Sequence, residues 1–216
     1  MTSLVSGDGK STVVSNLAIA MAQSGHRTIV VDADFRKPSQ HEIFQTPTDH
    51  GLTTVLAGRD KLSDVIHSTP IAHLYVLPCG PIPKFPSEML HGKVFAQVMR
   101  HLPDSFEYVV VDSPPVMPIV DARILGAICD TTLLVLRAGR VTIDLADQAR
   151  DGLLSVGAHL VGSVVNAVSP RDARYGYSPG HGRYWRRSRY GDGGDRPRLS
   201  DGPRPDNVDN TAKQAY

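Results

Sequence analysis

Ser6-Gly7-Asp8-Gly9-Lys10-Ser11-Thr12 is the stretch on which the fold of this chain turns. Two glycines let the backbone curl so that successive N–H groups point at one place, where phosphate oxygens fit. Lys10 adds positive charge near the β- and γ-phosphates of a nucleotide, and the Ser11 hydroxyl is a ligand for Mg2+. The helix expected over Ser11–Ser24 turns its positive dipole end to the same anion. Ser6, Gly7, Asp8, Gly9, Lys10, Ser11 and Thr12 are therefore the candidate nucleotide-binding residues. One position departs from the general G-x-x-x-x-G-K-[ST] pattern: Leu4 stands where its first glycine belongs. The blander alternative is a glycine-rich turn that caps a helix and carries a surface lysine.

Working outward, Val30-Val31-Asp32-Ala33-Asp34 ends a hydrophobic strand in two carboxylates, spaced to lie on the same side of it. Tyr108-Val109-Val110-Val111-Asp112 does the same with one. In a parallel sheet such strand ends converge beside the phosphate loop, where Mg2+ needs oxygen ligands. A lone aspartate there is more often a helix cap or turn residue, but three together with the loop favour the site. Further β-branched runs at 131–136 and 160–165, with that at 28–31, fit parallel strands buried on both faces. Helix-period stretches lie between them at roughly 92–101, 119–129 and 142–155, and Gly25 is placed to end the first helix. The alternation predicts an α/β fold, a doubly wound and mostly parallel sheet. Residues 37–84, broken by six prolines, read as surface loops and short helices.

The 216 residues are 41% hydrophobic and 21% charged, with a net charge of +1, which suits about one soluble globular domain. No apolar run approaches the ~18 residues of a membrane helix, and the first residues lack a signal-peptide pattern. Cys79 and Cys129 show no metal or disulfide spacing, and the nine histidines form no ligand motif, so a reducing, cytosolic location is expected. The charge is unevenly distributed. Residues 169–216 carry ten Lys/Arg against six Asp/Glu, with seven Gly and five Pro, whereas residues 1–168 carry 13 against 16. The expected organisation is a folded domain over 1–168 and a disordered tail rich in Tyr, Gly and Arg over 169–216.

The three nucleotide segments, SGDGKST (6–12), VVDADFRKP (30–38) and VVVDSPPV (109–116), resemble those of the bacterial tyrosine kinases that control capsule and exopolysaccharide export. GLTTVLAG (51–58), LPCGPIPKFPSEML (77–90) and GSVVN (162–166) are similar to the family's connecting segments. The resemblance covers about residues 2–168 and implies a P-loop NTPase domain related to the partition and septum-site ATPases. Ser6 stands where the family usually has Pro, and Phe35 where it usually has Leu. The resemblance implies ATP and Mg2+ as cofactors, with Lys10 on the terminal phosphates and Ser11, Asp34 and Asp112 around the metal. It makes Asp32 the candidate base for an incoming tyrosine hydroxyl. A carboxylate is a weak base for a phenol of pKa ~10, so positioning and charge stabilisation should carry most of the catalysis.

Five of the seven tyrosines lie at 175–216, and the resemblance makes Tyr175, Tyr177, Tyr184 and Tyr190 the phosphoacceptors, modified in trans by a neighbouring copy. It implies a homo-oligomer working at the inner face of the plasma membrane through a membrane activator of the chain-length-regulator type. Arg183, Trp185, Arg186, Arg187 and Arg189 interleave with these tyrosines, so the competing readings of the tail are a surface for single-stranded nucleic acid or membrane and a merely solvated segment without function. Nucleic acid is not the expected partner. The competing activities are a partition-type ATPase switch and an inactive copy that only binds. Only Met1 to Val5 precede the loop, so the sheet's first strand is expected to be largely missing and its neighbours left with unpaired backbone groups. A start at an internal Met and a truncated copy are the two explanations; the family's upstream helix is also lacking.

Overall fold

β2 (Thr28–Asp32) lies at the centre, with all five residues buried. It pairs in parallel with β4 (Leu74–Leu77) on one side and β5 (Tyr108–Asp112) on the other. A two-residue strand, β3 (His67–Ser68), adds antiparallel to β4, giving the order β3-β4-β2-β5. A second sheet, β1-β6-β7, joins β1 (Thr2–Ser3), β6 (Thr132–Arg137) and β7 (Leu160–Asn166), all parallel. This computed structural model describes residues 1–117 and 119–169. The tail and Tyr175, Tyr177, Tyr184 and Tyr190 lie outside the described residues.

The continuous apolar run of β2 is explained by helices on both faces, whereas β7, expected to be buried on both faces, is an edge strand with no buried residue. Ile29 and Val31 face a cluster with Phe95, Val98 and Leu102, from α5 (Lys93–His101) and the turn after it. Val30 points the other way, to Val14, Ala18 and Ala22 of α1 (Lys10–Gln23). Burying each such side chain contributes about 1.5–3 kcal/mol. α1 ends at Gly25, φ 93°, whose N–H donates to Ala22 O at 3.0 Å while His26 N–H donates to Met21 O at 3.3 Å. That pair of bonds satisfies the last carbonyls and needs a left-handed residue, hence glycine.

The remaining helices are α2 (Gln40–Phe44), α3 (Leu52–Leu56), α4 (Pro86–His91), α6 (Asp121–Ile128) and α7 (Ile143–Leu154). Residues 37–84 do contain loops and the short helices α2 and α3, but also β4, a buried strand that composition had not marked. β4 is only Leu-Tyr-Val-Leu and is followed directly by Pro78. Its strand character comes from pairing with β2 rather than from alternation in its own sequence.

The first strand, β1, is two residues long. Thr2 and Ser3 pair with Leu134 and Val135 of β6. On the other side the Met1 ammonium donates to Val111 O at 2.7 Å, Ser113 N–H to Met1 O at 3.2 Å and Val116 N–H to Ser3 O at 2.8 Å. These residues link the two sheets. Between β5 and β6 lies a cavity of about 450 Å3, lined by Met1, Leu17, Met21, Val109, Ile128 and Leu133 among others. Leu4, where the general loop pattern has glycine, is fully buried against Val116, Leu134 and Leu153. It is a core residue and leaves the loop's own glycines at 7 and 9. Among the described residues no helix is long and apolar enough to cross a membrane.

Candidate active site

The loop between β1 and α1 is shaped by Gly7 and Gly9, with φ 88° and 86°. A side chain at Gly9 would displace the Asn166 amide and would be strained at this positive φ, so the position favours glycine. Gly9 supplies no capping side chain, and the first helical bond runs from Val13 N–H to Gly9 O at 3.0 Å. The N–H groups at the start of α1 therefore have no helix carbonyl to meet. They open on a cavity of about 190 Å3, lined among others by Ser6, Gly7, Ser11, Thr12, Asp34 and Lys37.

Beneath this cavity the charged side chains gather. Lys10 Nζ pairs with Asp112 Oδ1, lies 3.6 Å from Asp34 Oδ2 and donates to Ser11 Oγ at 3.2 Å. Both Lys10 and Asp112 are buried, and Asp112 Oδ2 accepts from Gln40 Nε2 at 2.7 Å. Gln40 is itself fully buried and also donates to Ser11 O at 3.2 Å, joining the strand-end carboxylate to the first turn of α1. The motif residues contain no hint of Gln40. It starts α2 after the Pro38-Ser39 turn and reaches the site through that turn's geometry.

The two carboxylates of the second motif have different surroundings. β2 ends at Asp32, so Asp34 lies past the strand and lines the cavity. Asp34 Oδ1 accepts from Lys37 N–H at 3.1 Å and Arg36 N–H at 3.4 Å. Burial raises its pKa, with Lys10 pulling the other way. Asp32 is fully buried and accepts from Asp34 N–H at 3.3 Å, Ser39 N–H at 3.0 Å and Gln40 N–H at 2.9 Å. Burial first, and the Asp112 charge second, push its pKa up to about 7 against the pull of those N–H groups. It organises the turn into α2 as well as standing beside Asp112.

Arg36, also in the second motif, donates through Nε to Asp121 Oδ2 at 2.9 Å and through Nη2 to Ser87 Oγ at 3.2 Å. Ser87 Oγ in turn donates to Asp121 Oδ1 at 2.5 Å. Asp121 is buried at the start of α6 and Ser87 sits in α4, so this network holds the loop after β2 against two helices.

The site has the features a nucleotide phosphate chain needs: left-handed glycines, unpaired N–H groups at a helix start, and a lysine already pointing inward. For a hard dication it has the Ser11 hydroxyl and the Asp34 and Asp112 carboxylates. Mg2+ is commonly held by one or two carboxylates plus waters and phosphates. Among the described residues no group of three or more His, Cys, Asp or Glu gathers as a metal site.

Residues 4–148 match the AAA domain family. The chain is 34% identical to the tyrosine-protein kinase CpsD of Streptococcus agalactiae over 190 residues, covering 88% of this chain and 82% of CpsD. The solved kinase domain of the Escherichia coli tyrosine kinase ETK is similar at 32% identity, with a TM-score of 0.73 over 78% of this chain and 68% of that one. The septum site-determining protein MinD of Pyrococcus horikoshii, solved with Mg-ADP, shares the fold at 23% identity, with a TM-score of 0.66 over 79% and 72% of the two chains. The phosphate loop, the paired aspartates after β2 and the aspartate ending β5 thus occur on a P-loop ATPase fold, and the extent of the likeness to CpsD shows that this chain belongs to the family of bacterial tyrosine-protein kinases.

Proposed function

We propose that this protein is an ATP-dependent tyrosine autokinase that regulates capsule or exopolysaccharide synthesis and export. The observation that carries the reading is the buried set of Lys10, Asp34 and Asp112 beneath the glycine loop, an anion site and a cation site in contact. Bound Mg-ATP supplies the transferable phosphoryl group. Lys10 would hold the terminal phosphate oxygens, and Ser11, Asp34 and Asp112 would hold Mg2+, which would neutralise charge on the phosphates. The loop residues Ser6 to Thr12 fix the phosphates through backbone N–H groups. Asp32 takes the proton of the tyrosine hydroxyl once one of its bonds to the Ser39–Gln40 turn opens. Its pKa of about 7 brings it closer to a phenol than an ordinary carboxylate comes.

The acceptors are Tyr175, Tyr177, Tyr184 and Tyr190 of a second copy in a homo-oligomer. A membrane activator of the chain-length-regulator type brings the kinase to the inner face of the plasma membrane. Each phosphate adds about −1.5 to −2 charges, so four turn the cationic tail anionic. This reversal weakens association between copies.

Incubation with Mg-ATP and mass spectrometry of the tail, with Lys10→Ala alongside, tests the reading. Phosphate on Tyr175–Tyr190 that is absent from the Lys10 variant is the expected result. Release of ADP with no phosphotyrosine would instead make the protein an ATPase switch of the partition type.

A further inference from the structure

Three side chains from outside the nucleotide motifs hold three consecutive carbonyls of the phosphate loop. Arg140 Nη1 donates to Ser6 O at 3.3 Å, Arg137 Nη1 to Gly7 O at 3.0 Å and Asn166 Nδ2 to Asp8 O at 2.9 Å. Arg137 ends β6, Arg140 follows in the next turn and Asn166 ends β7. The two strands are tied at this end, where Ala138 N–H donates to Asn166 O at 2.9 Å. Asn166 is further oriented by its own Oδ1, which accepts from Ala167 N–H at 2.8 Å.

A trans peptide is planar, and its C=O and N–H point in opposite directions. Holding the Ser6, Gly7 and Asp8 carbonyls toward β6 and β7 therefore turns the N–H groups of Gly7, Asp8 and Gly9 the other way. Those three N–H groups donate to no protein acceptor among the described residues. The phosphate cavity opens on the loop without contribution from Arg137, Arg140 or Asn166. The fit is close: a side chain at Gly7 would come 3.2 Å from Arg140 Nη1. Arg140 also stands 4.0 Å from Asp8 Oδ1, a fully buried carboxylate oxygen with no hydrogen-bond partner.

We infer that Arg137, Arg140 and Asn166 are positioning residues that hold the loop by its carbonyls and so aim the Gly7, Asp8 and Gly9 N–H groups at a polyphosphate. This rests on the reading of the loop as the seat of the nucleotide phosphates. The clamp acts through the carbonyls of the loop that takes the phosphates. Its loss is expected to weaken binding while leaving the turnover of bound substrate nearly unchanged.

Two probes test this on the full chain: ATP and inorganic tripolyphosphate, each with Mg2+, titrated against wild type, Arg137→Gln, Arg140→Gln and Arg137→Lys. Circular dichroism and thermal midpoints establish that each variant is folded. Each Gln variant is expected to bind both probes about ten-fold more weakly, the scale of one charge-assisted hydrogen bond. KM for ATP should rise by a similar factor with kcat within about two-fold, and Arg137→Lys, which keeps a cationic donor, should recover most of the loss. Unchanged affinity for both probes overturns the inference. So does a loss for ATP alone, which would place these side chains on the nucleoside. Wild-type protein that binds neither probe overturns the nucleotide reading and the clamp together, whereas wild-type binding with unaffected variants overturns only the clamp.

Discussion

Asp32 carries a charge in a place where a charge is expensive. It is fully buried beside Asp112, and its pKa is raised from 3.8 to about 7 by burial and by that neighbour. Between about pH 4 and pH 7 the folded protein thus holds a proton that the unfolded chain has already released. Stability falls as pH rises through that window and levels off above it. Asp34 shifts in the same direction. The Met1 amine, lowered from 8.0 by burial, acts oppositely, because below pH 8 the unfolded chain holds the extra proton. The Asp32 contribution is at most about 4 kcal/mol, three pKa units at 1.36 kcal/mol each. Urea unfolding of wild type and Asp32→Asn at pH 5 and pH 8 isolates it. The variant should lose ground to wild type at pH 5 and recover it at pH 8, on top of a constant offset from the altered hydrogen bonds. Parallel pH curves would mean that Asp32 titrates as an ordinary carboxylate in the folded protein.

At the scale of elements, the loop after β2 is joined to α4 and α6 by Arg36, Ser87 and Asp121. Asp121 is buried, whereas the Arg36 side chain is 41% exposed, so the pair is screened on one side only. A double-mutant cycle of Arg36→Ala and Asp121→Ala should give a coupling of about 1 kcal/mol, toward the lower end for touching residues. Arg36→Ala should be the costlier single change, because it leaves a buried carboxylate with Ser87 as its remaining side-chain partner. Additive effects in chemical denaturation would show that the two helices hold the loop without this bridge. The network also shows what could and could not be read from residue order. β2, β5, β6 and β7 were legible as strands from their unbroken β-branched runs, but the same runs do not reveal that β7 is an edge strand with no buried residue. β4 was hidden because four apolar residues before a proline become a strand only when β2 lies beside them. Lys10, Asp34 and Asp112 were legible because their spacing after strands and glycines implies convergence. Gln40, Ser87, Asp121, Arg137 and Arg140 carry no such spacing; tertiary placement alone brings them to the loop or the network behind it. The spacing of Asp32 and Asp34 implies a shared side only within a strand, and β2 ends at the first of them.

Across the whole molecule the two sheets share little backbone. β2 is paired along its length on both sides, whereas β1 pairs with β6 at Thr2 and Ser3 only, and Met1 and Ser3 bond to Val111, Ser113 and Val116 on the β5 side. β7 is an edge strand whose residues are half-buried or exposed, with Val161 and Val165 more than half exposed. Opening β6 and β7 away from β1 therefore breaks few sheet bonds, while opening β2 breaks the core clusters on both of its faces. Hydrogen exchange should resolve this as two levels of protection: Ile29–Val31 near the global unfolding free energy, and Val161–Val165 exchanging through a cheaper, partial opening. Mg-ATP should raise protection of β6 and β7 more than that of β2, because Arg137 and Asn166 tie those strands to the loop that takes the phosphates. Equal protection of β2 and β7 in the free protein would mean that the short bridge at Thr2–Ser3 is enough to make the two sheets one cooperative unit.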